Sequence, residues 1–130
     1  MILLDTNIVI DMVNNFDDPN WDLLLQDDVV LCGTVIAELY QGIKSKKEEK
    51  SIELFIRSVD FLDFVRKNES KSAVWKDFGS FLANLRKNEL QVPFQDAMIA
   101  FIGIKYNCKI LTKDKHFKLI QAVDERVQLF

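Results

Sequence analysis

This 130-residue chain holds one histidine, two cysteines, two prolines and four glycines. Zinc coordination has little support, because Cys32 and Cys108 stand far apart with no C-x-x-C and His116 is alone. The same spacing argues against a disulfide and for buried free thiols in a reducing cytosol, so a cytoplasmic location is expected. No Gly/Pro-rich linker or repeat divides the chain, which points to a single domain over residues 1–130. No apolar run approaches the roughly 18 residues a membrane span needs. Asp5 interrupts the N-terminal apolar run too early for a secretory signal. Tryptophan and tyrosine are scarce, two of each against ten phenylalanines, which favours core packing over display for base stacking. Excess positive charge is absent too. A net charge of −3 argues against long-range attraction of nucleic acid by the whole molecule, though not against a local basic groove.

What is present is an ordinary globular balance, 48% hydrophobic and 28% charged. The short apolar run Ile2-Leu3-Leu4 reads as a strand buried on both faces, as in a parallel sheet. It stops at Asp5, and Ile8, Val9, Met12 and Val13 then recur at helical spacing. Pro19 opens a short second helix with Trp21, Leu24 and Leu25 as its apolar side. Val29 to Cys32 is a second buried strand. Thr34 is placed to cap a helix from Val35 to Ile43, with Gly42 helping to end it. The charged run 44–50 reads as a solvated loop and helix start, and Ile52, Phe55, Ile56 and Val59 continue as a helical stripe. Phe61 to Val65 is a third strand and Glu69 to Leu90 a long amphipathic helix. Two long helices in succession suggest a helical hairpin attached to the sheet.

Pro93 opens a helix to about Tyr106 that is apolar nearly all round, so it should be the most buried, with Gly103 allowing close approach to the sheet. Cys108 to Thr112 is a fourth strand, followed by coil, and Val127 to Phe130 a fifth. This order predicts an α/β fold, a three-layer α/β/α sandwich around a mostly parallel sheet of four to five strands, with strand ends gathered on one edge.

Four acids share that edge in this reading. Asp5 follows the first strand, Glu38 lies near the start of the helix after the second, Asp96 is in the first turn after Pro93, and Asp114 lies two residues beyond Thr112. Taken singly, each has an ordinary explanation as a cap, a helix-dipole partner or a turn residue. Together they are harder to dismiss. Two charges about 5 Å apart repel by roughly 3 kcal/mol at an effective dielectric of 20. A stable fold tolerates four only if a cation or protons neutralise them.

The segments Asp5-Thr6-Asn7, Val35-Ile36-Ala37-Glu38-Leu39, Gln95-Asp96-Ala97-Met98-Ile99-Ala100 and Leu111-Thr112-Lys113-Asp114-Lys115-His116-Phe117, in this order, resemble a PIN domain. More narrowly they resemble the VapC-type toxins of bacterial and archaeal toxin–antitoxin pairs. The likeness covers the whole chain. It implies a metal-dependent endoribonuclease, with Asp5, Glu38, Asp96 and Asp114 as the acidic site. Thr6, Asn7 and Thr112 match the family's supporting polar positions. It also implies an RNA substrate, a small antitoxin partner that covers the site, and a homodimer.

Carboxylate oxygens suit Mg²⁺ or Mn²⁺. A single histidine cannot form the acid/base pair that would use the RNA 2′-hydroxyl as nucleophile, which leaves hydrolysis by metal-activated water and 5′-phosphate and 3′-hydroxyl ends. Asp5, Asp96 and Asp114 are expected to hold the ion or ions. Glu38 either completes a second site or orients and deprotonates the water, and Thr6, Asn7 and Thr112 orient the ligands. His116 is expected to be a turn or packing residue, for want of a partner acid. Lys113, Lys115 and Lys118, and Lys44, Lys46 and Lys47, are candidate contacts to RNA at the rim, against the ordinary reading of a solvated face. Two rivals stand beside this reading. A metal-dependent phosphatase of another α/β family would want a second acid where Asn7 stands. A non-catalytic RNA- or protein-binding module would keep the fold without the cleavage.

Overall fold

A computed structural model describes residues 1–130. Five parallel strands form one sheet in the order β3-β2-β1-β4-β5. They are β1 (Ile2–Leu4), β2 (Val29–Cys32), β3 (Asp60–Leu62), β4 (Lys109–Leu111) and β5 (Gln128–Leu129). Every residue of β1 and β2 is buried, which is why both read as unbroken apolar runs rather than alternating ones. The helices are α1 (Thr6–Asn14), α2 (Leu23–Gln26), α3 (Gly33–Gln41), α4 (Lys46–Arg57), α5 (Lys71–Lys87), α6 (Phe94–Tyr106) and α7 (His116–Val123). Helices α1, α3 and α4 pack on one another, and so do α5, α6 and α7. Right-handed crossovers put the two groups on opposite faces of the sheet, giving three layers.

The chain leaves β1 toward β2 and β3, then returns to the other side of β1 for β4 and β5. The strand order therefore reverses between β1 and β4. In open α/β sheets the carboxyl ends at such a reversal open a crevice for ligands. Asp5 stands at this point. Its backbone N–H donates to Leu111 O at 2.9 Å, carrying the β1–β4 pairing one residue past the strand.

Helix α6 is the most buried, with seven residues from Asp96 to Gly103 inside. A Cβ on Gly103 would lie 2.8 Å from Ile110 Cδ1 on β4, so any larger residue there would make the Ile110 side chain move. The helix stops at Asn107, whose φ of 54° is the left-handed conformation of many helix ends, and Cys108 N–H donates to Gly103 O. Both cysteines are free and buried. No helix is long and apolar enough to cross a membrane.

Several boundaries differ from expectation. Helix α3 starts at Gly33 with Cys32 as its cap residue, so Thr34 is inside the helix and caps nothing; its Oγ1 lies 3.9 Å from Met98 Sδ on α6 instead. The Pro19 segment is a 3-10 turn, Pro19–Asp22, followed by the single turn of α2, pinned by Trp21 Nε1 donating to Met12 O and Asn15 O. Strand β3 ends at Leu62 because the next carbonyls accept from side chains, Asp63 O from Tyr106 Oη and Phe64 O from Lys105 Nζ. It separates α4 from α5, so the helical hairpin is made by α5 with α6. The segment read as coil before the last strand is α7. Phe117 and Ile120, one turn apart and both fully buried, fix it to the core. Phe117, Ile120 and Val123 recur at helical spacing, but eight residues give that period only two turns in which to show.

Candidate metal centre

Asp5 is both a helix cap and a buried acid. Its Oδ1 accepts from Thr6 N–H at 2.8 Å, which closes the start of α1, while Oδ2 accepts from Thr112 Oγ1 at 2.6 Å. Thr112 Oγ1 in turn accepts from Asp114 N–H at 2.9 Å. One hydroxyl thus links the acid after β1 to the acid after β4. Asn7 reaches the same loop, its Oδ1 accepting from Lys113 N–H at 3.4 Å. The expected supporting roles of Asn7 and Thr112 have visible contacts here, whereas Thr6 Oγ1 is buried with no hydrogen-bond partner. Strand β4 ends at Leu111, so Asp114 lies three residues past it rather than two past a strand ending at Thr112.

Asp96, at the third position of α6, is almost fully buried and points across to the first residue of α7. There His116 Nδ1 lies 2.8 Å from Asp96 Oδ2 and 3.1 Å from Asp114 Oδ1. The ligand atoms of Asp96, Asp114 and His116 all fall within 4.8 Å of one another. His116 therefore has two partner acids and is not the isolated packing residue expected. The sequence carried a signal in the Asp-Lys-His spacing at a helix start, but the second acid, Asp96, comes from another element.

Glu38 is in the second turn of α3, later than expected because the helix begins at Gly33. Its Oε1 is buried without a hydrogen-bond partner. Thr6 Oγ1 lies close enough to favour the Glu38 carboxylate, yet neither atom completes a hydrogen bond.

The electrostatics join the four acids. Burial raises the Glu38 carboxyl above the ordinary range, and Asp5, Asp96 and Asp114 each push it further. Burial also raises Asp5, opposed by the hydrogen bonds from Thr112 and Thr6 and reinforced by Asp114. Asp96 is raised by burial and by Asp114 and Asp5, against the pull of His116. The His116 ring is raised in turn, chiefly by its hydrogen bond to Asp96. Cys32, under Asp5 and Glu38, is pushed up to about 11, mainly by burial, and so stays an inert thiol. Glu38 feels Asp5, Asp96 and Asp114, and Asp114 is felt by Asp5 and Asp96, so the four acids are close enough for their charges to interact.

A cavity of about 550 Å³ between α5 and α6 contains none of these acids. At the rim, Lys113 Nζ is ion-paired with Asp11 on α1, whereas Lys115 and Lys118 are exposed, as are Lys44, Lys46 and Lys47.

The sequence profile described as PIN domain matches residues 2–123. The chain belongs to the PIN domain family. This PIN domain is also similar to solved structures over almost its full length. A chain of VapBC2 from Rickettsia felis, bound to a DNA fragment from their promoter, superposes with a TM-score of 0.80 at 24% identity, covering 100% of this chain and 98% of that one. A chain of DNA-bound VapBC from Salmonella typhimurium gives 0.75 at 22% identity, with 99% and 96% covered. One from VapBC-1 of nontypeable Haemophilus influenzae gives 0.74 at 23%, with 100% and 97% covered. No curated protein matches the chain. In this PIN domain Asp5 and Asp114 follow β1 and β4, the two strands between which the strand order reverses.

Proposed function

We propose that this PIN domain is a divalent-metal-dependent endoribonuclease, the toxin of a toxin–antitoxin pair. It would cleave RNA to leave 5′-phosphate and 3′-hydroxyl ends. What supports the proposal is the link from Asp5 through Thr112 to Asp114, the closeness of Asp114 to Asp96, and the charge of all three acids on Glu38. The donor set fits a hard divalent ion, Mg²⁺ or Mn²⁺. Its atoms are carboxylate oxygens, burial and mutual repulsion disfavour their charge, and Glu38 Oε1 is buried with nothing to pair with. Asp5, Asp96 and Asp114 would hold the ion, and Glu38 would complete a second position or serve the attacking water. A bound ion supplies positive charge for the scissile phosphate and acidifies water.

The chain's own groups do the rest. Glu38, its carboxyl raised by burial and by the other acids, would take a proton from the attacking water. Thr112 fixes the Asp5 carboxylate and the Asp114 backbone together, which holds the donor geometry without ordering cost at the moment of reaction. Lys115 and Lys118, exposed and near Asp114 in the chain, would meet the phosphates of the RNA. The fold-level likeness to chains from VapBC assemblies supports an antitoxin partner; the homodimer rests on the family resemblance alone.

The test is end-mapping of cellular RNA after brief expression of the wild type and of Asp96→Asn. New ends carrying 5′-phosphate are expected with the wild type alone. Ends bearing 2′,3′-cyclic phosphate, or equal cleavage by both proteins, would refute the proposal. A phosphomonoester assay separates it from the phosphatase reading.

A further inference from the structure

The imidazole of His116 is the group at the carboxyl edge to which the nuclease reading gives no task. Three rigid parts of the fold bring it to Asp96 and Asp114. Asp96 is on the first turn of the most buried helix. Asp114 is held at both ends of its turn, its N–H donating to Thr112 Oγ1 and its Oδ1 accepting from His116 N–H at 2.9 Å. His116 is anchored by the next residue, Phe117, which is fully buried. In an octahedral shell with bonds of about 2.1 Å, adjacent ligand atoms are about 3.0 Å apart and opposite ones about 4.2 Å. The Nδ1 separations of 2.8 and 3.1 Å are those of adjacent positions, and the candidate ligand atoms of all three residues lie within 4.8 Å of one another.

We infer that His116 supplies Nδ1 as a nitrogen ligand to the divalent ion held by Asp96 and Asp114, so that the site prefers first-row transition ions such as Mn²⁺ and Co²⁺ to Mg²⁺. The inference rests on the reading that these carboxylates hold an ion. Mg²⁺ favours an all-oxygen shell and keeps its waters, whereas first-row transition ions accept imidazole with affinities that rise across the row. Coordination requires the neutral ring with Nδ1 bare, so the Nδ1 proton leaves for Nε2 or solvent as the ion enters.

The test compares wild type with His116→Ala by titration calorimetry with Mg²⁺, Mn²⁺ and Co²⁺. Pulsed electron spin resonance of bound Mn²⁺ reads the nitrogen directly. The ring side chain is 40% exposed, so its removal leaves the core alone. The wild type should show nitrogen modulation that the variant lacks. The variant should lose about tenfold or more in Mn²⁺ and Co²⁺ affinity and far less for Mg²⁺. If the wild type binds none of the three ions, the carboxylate reading itself fails. If it binds them without nitrogen modulation, only the role of His116 falls, and that readout needs no variant. Tighter binding of all three ions by His116→Ala would make the ring an internal counter-charge that the ion displaces, which also overturns the inference.

Discussion

Replacing Glu38 by Gln should make the metal-free protein more stable and the metal-loaded protein relatively less so. Oε1 of Glu38 is buried without a partner, and three other carboxylates raise the cost of its charge. Glutamine keeps the volume and nearly the same helix propensity. A buried polar atom left unsatisfied costs about 1–3 kcal/mol, more when charged. Removing the charge while leaving an amide should therefore return about 1 kcal/mol, or a rise in Tm of roughly 3–5 °C for a chain of this size. With a divalent ion at about 100 times its Kd, the wild type gains about 2.7 kcal/mol by linkage. The variant binds the ion less well and gains less, so the order of stability reverses. The pH dependence has a definite sign. A carboxyl whose folded pKa is raised contributes its favourable proton binding fully below the unfolded value, here 4.5, and loses it as pH rises through the folded value. The advantage of Glu38→Gln in chelator should thus be small near pH 4.5 and grow toward neutrality. Thermal and urea unfolding in EDTA and in Mg²⁺, at several pH values, read all of this. A variant less stable than wild type in EDTA at neutral pH would show that the Glu38 carboxylate stabilises the fold, and the reasoning would fail.

Asp5→Asn should reduce RNA cleavage by at least about a hundredfold in a fluorogenic-oligonucleotide assay, with the metal-free fold equally or more stable, because Asn still accepts from Thr6 N–H as a cap. Unfolding of that variant would make Asp5 a structural cap alone. Thr112→Val removes the hydroxyl between Asp5 Oδ2 and Asp114 N–H, and should cost about 10–100-fold in ion affinity by calorimetry. Lys115→Ala and Lys118→Ala should each flatten the salt dependence of single-stranded RNA binding by up to about 0.7 in log–log slope. Lys113→Ala should do less because Asp11 already pairs with Lys113. Equal affinity losses at low and high salt would count against phosphate contacts. Gly103→Ala forces a Cβ onto Ile110, and overpacking of about 1–3 kcal/mol should outweigh the roughly 1 kcal/mol helix gain, lowering Tm by a few degrees.

The sequence by itself determined the layers, the buried strands and the positions of the four acids along the chain. Ile2-Leu3-Leu4 and Val29 to Cys32 could be read because strands buried on both faces need unbroken apolar runs. Helix α6 could be read because its apolar residues go all round. Family motifs carried the acids. Local pattern reports only what a segment demands of itself, and there it ran out. The tertiary structure decided that β4 returns beside β1, which brings Asp114 and Thr112 to Asp5 across more than a hundred residues. It decided that Thr34 caps nothing, because α3 starts two residues earlier than its polar residues suggest. Two core contacts, Phe117 and Ile120, make α7 a helix that its own sequence barely announces. His116 owes its meaning to that helix. A lone histidine is unreadable until packing gives it neighbours, and here packing set it between Asp96 and Asp114.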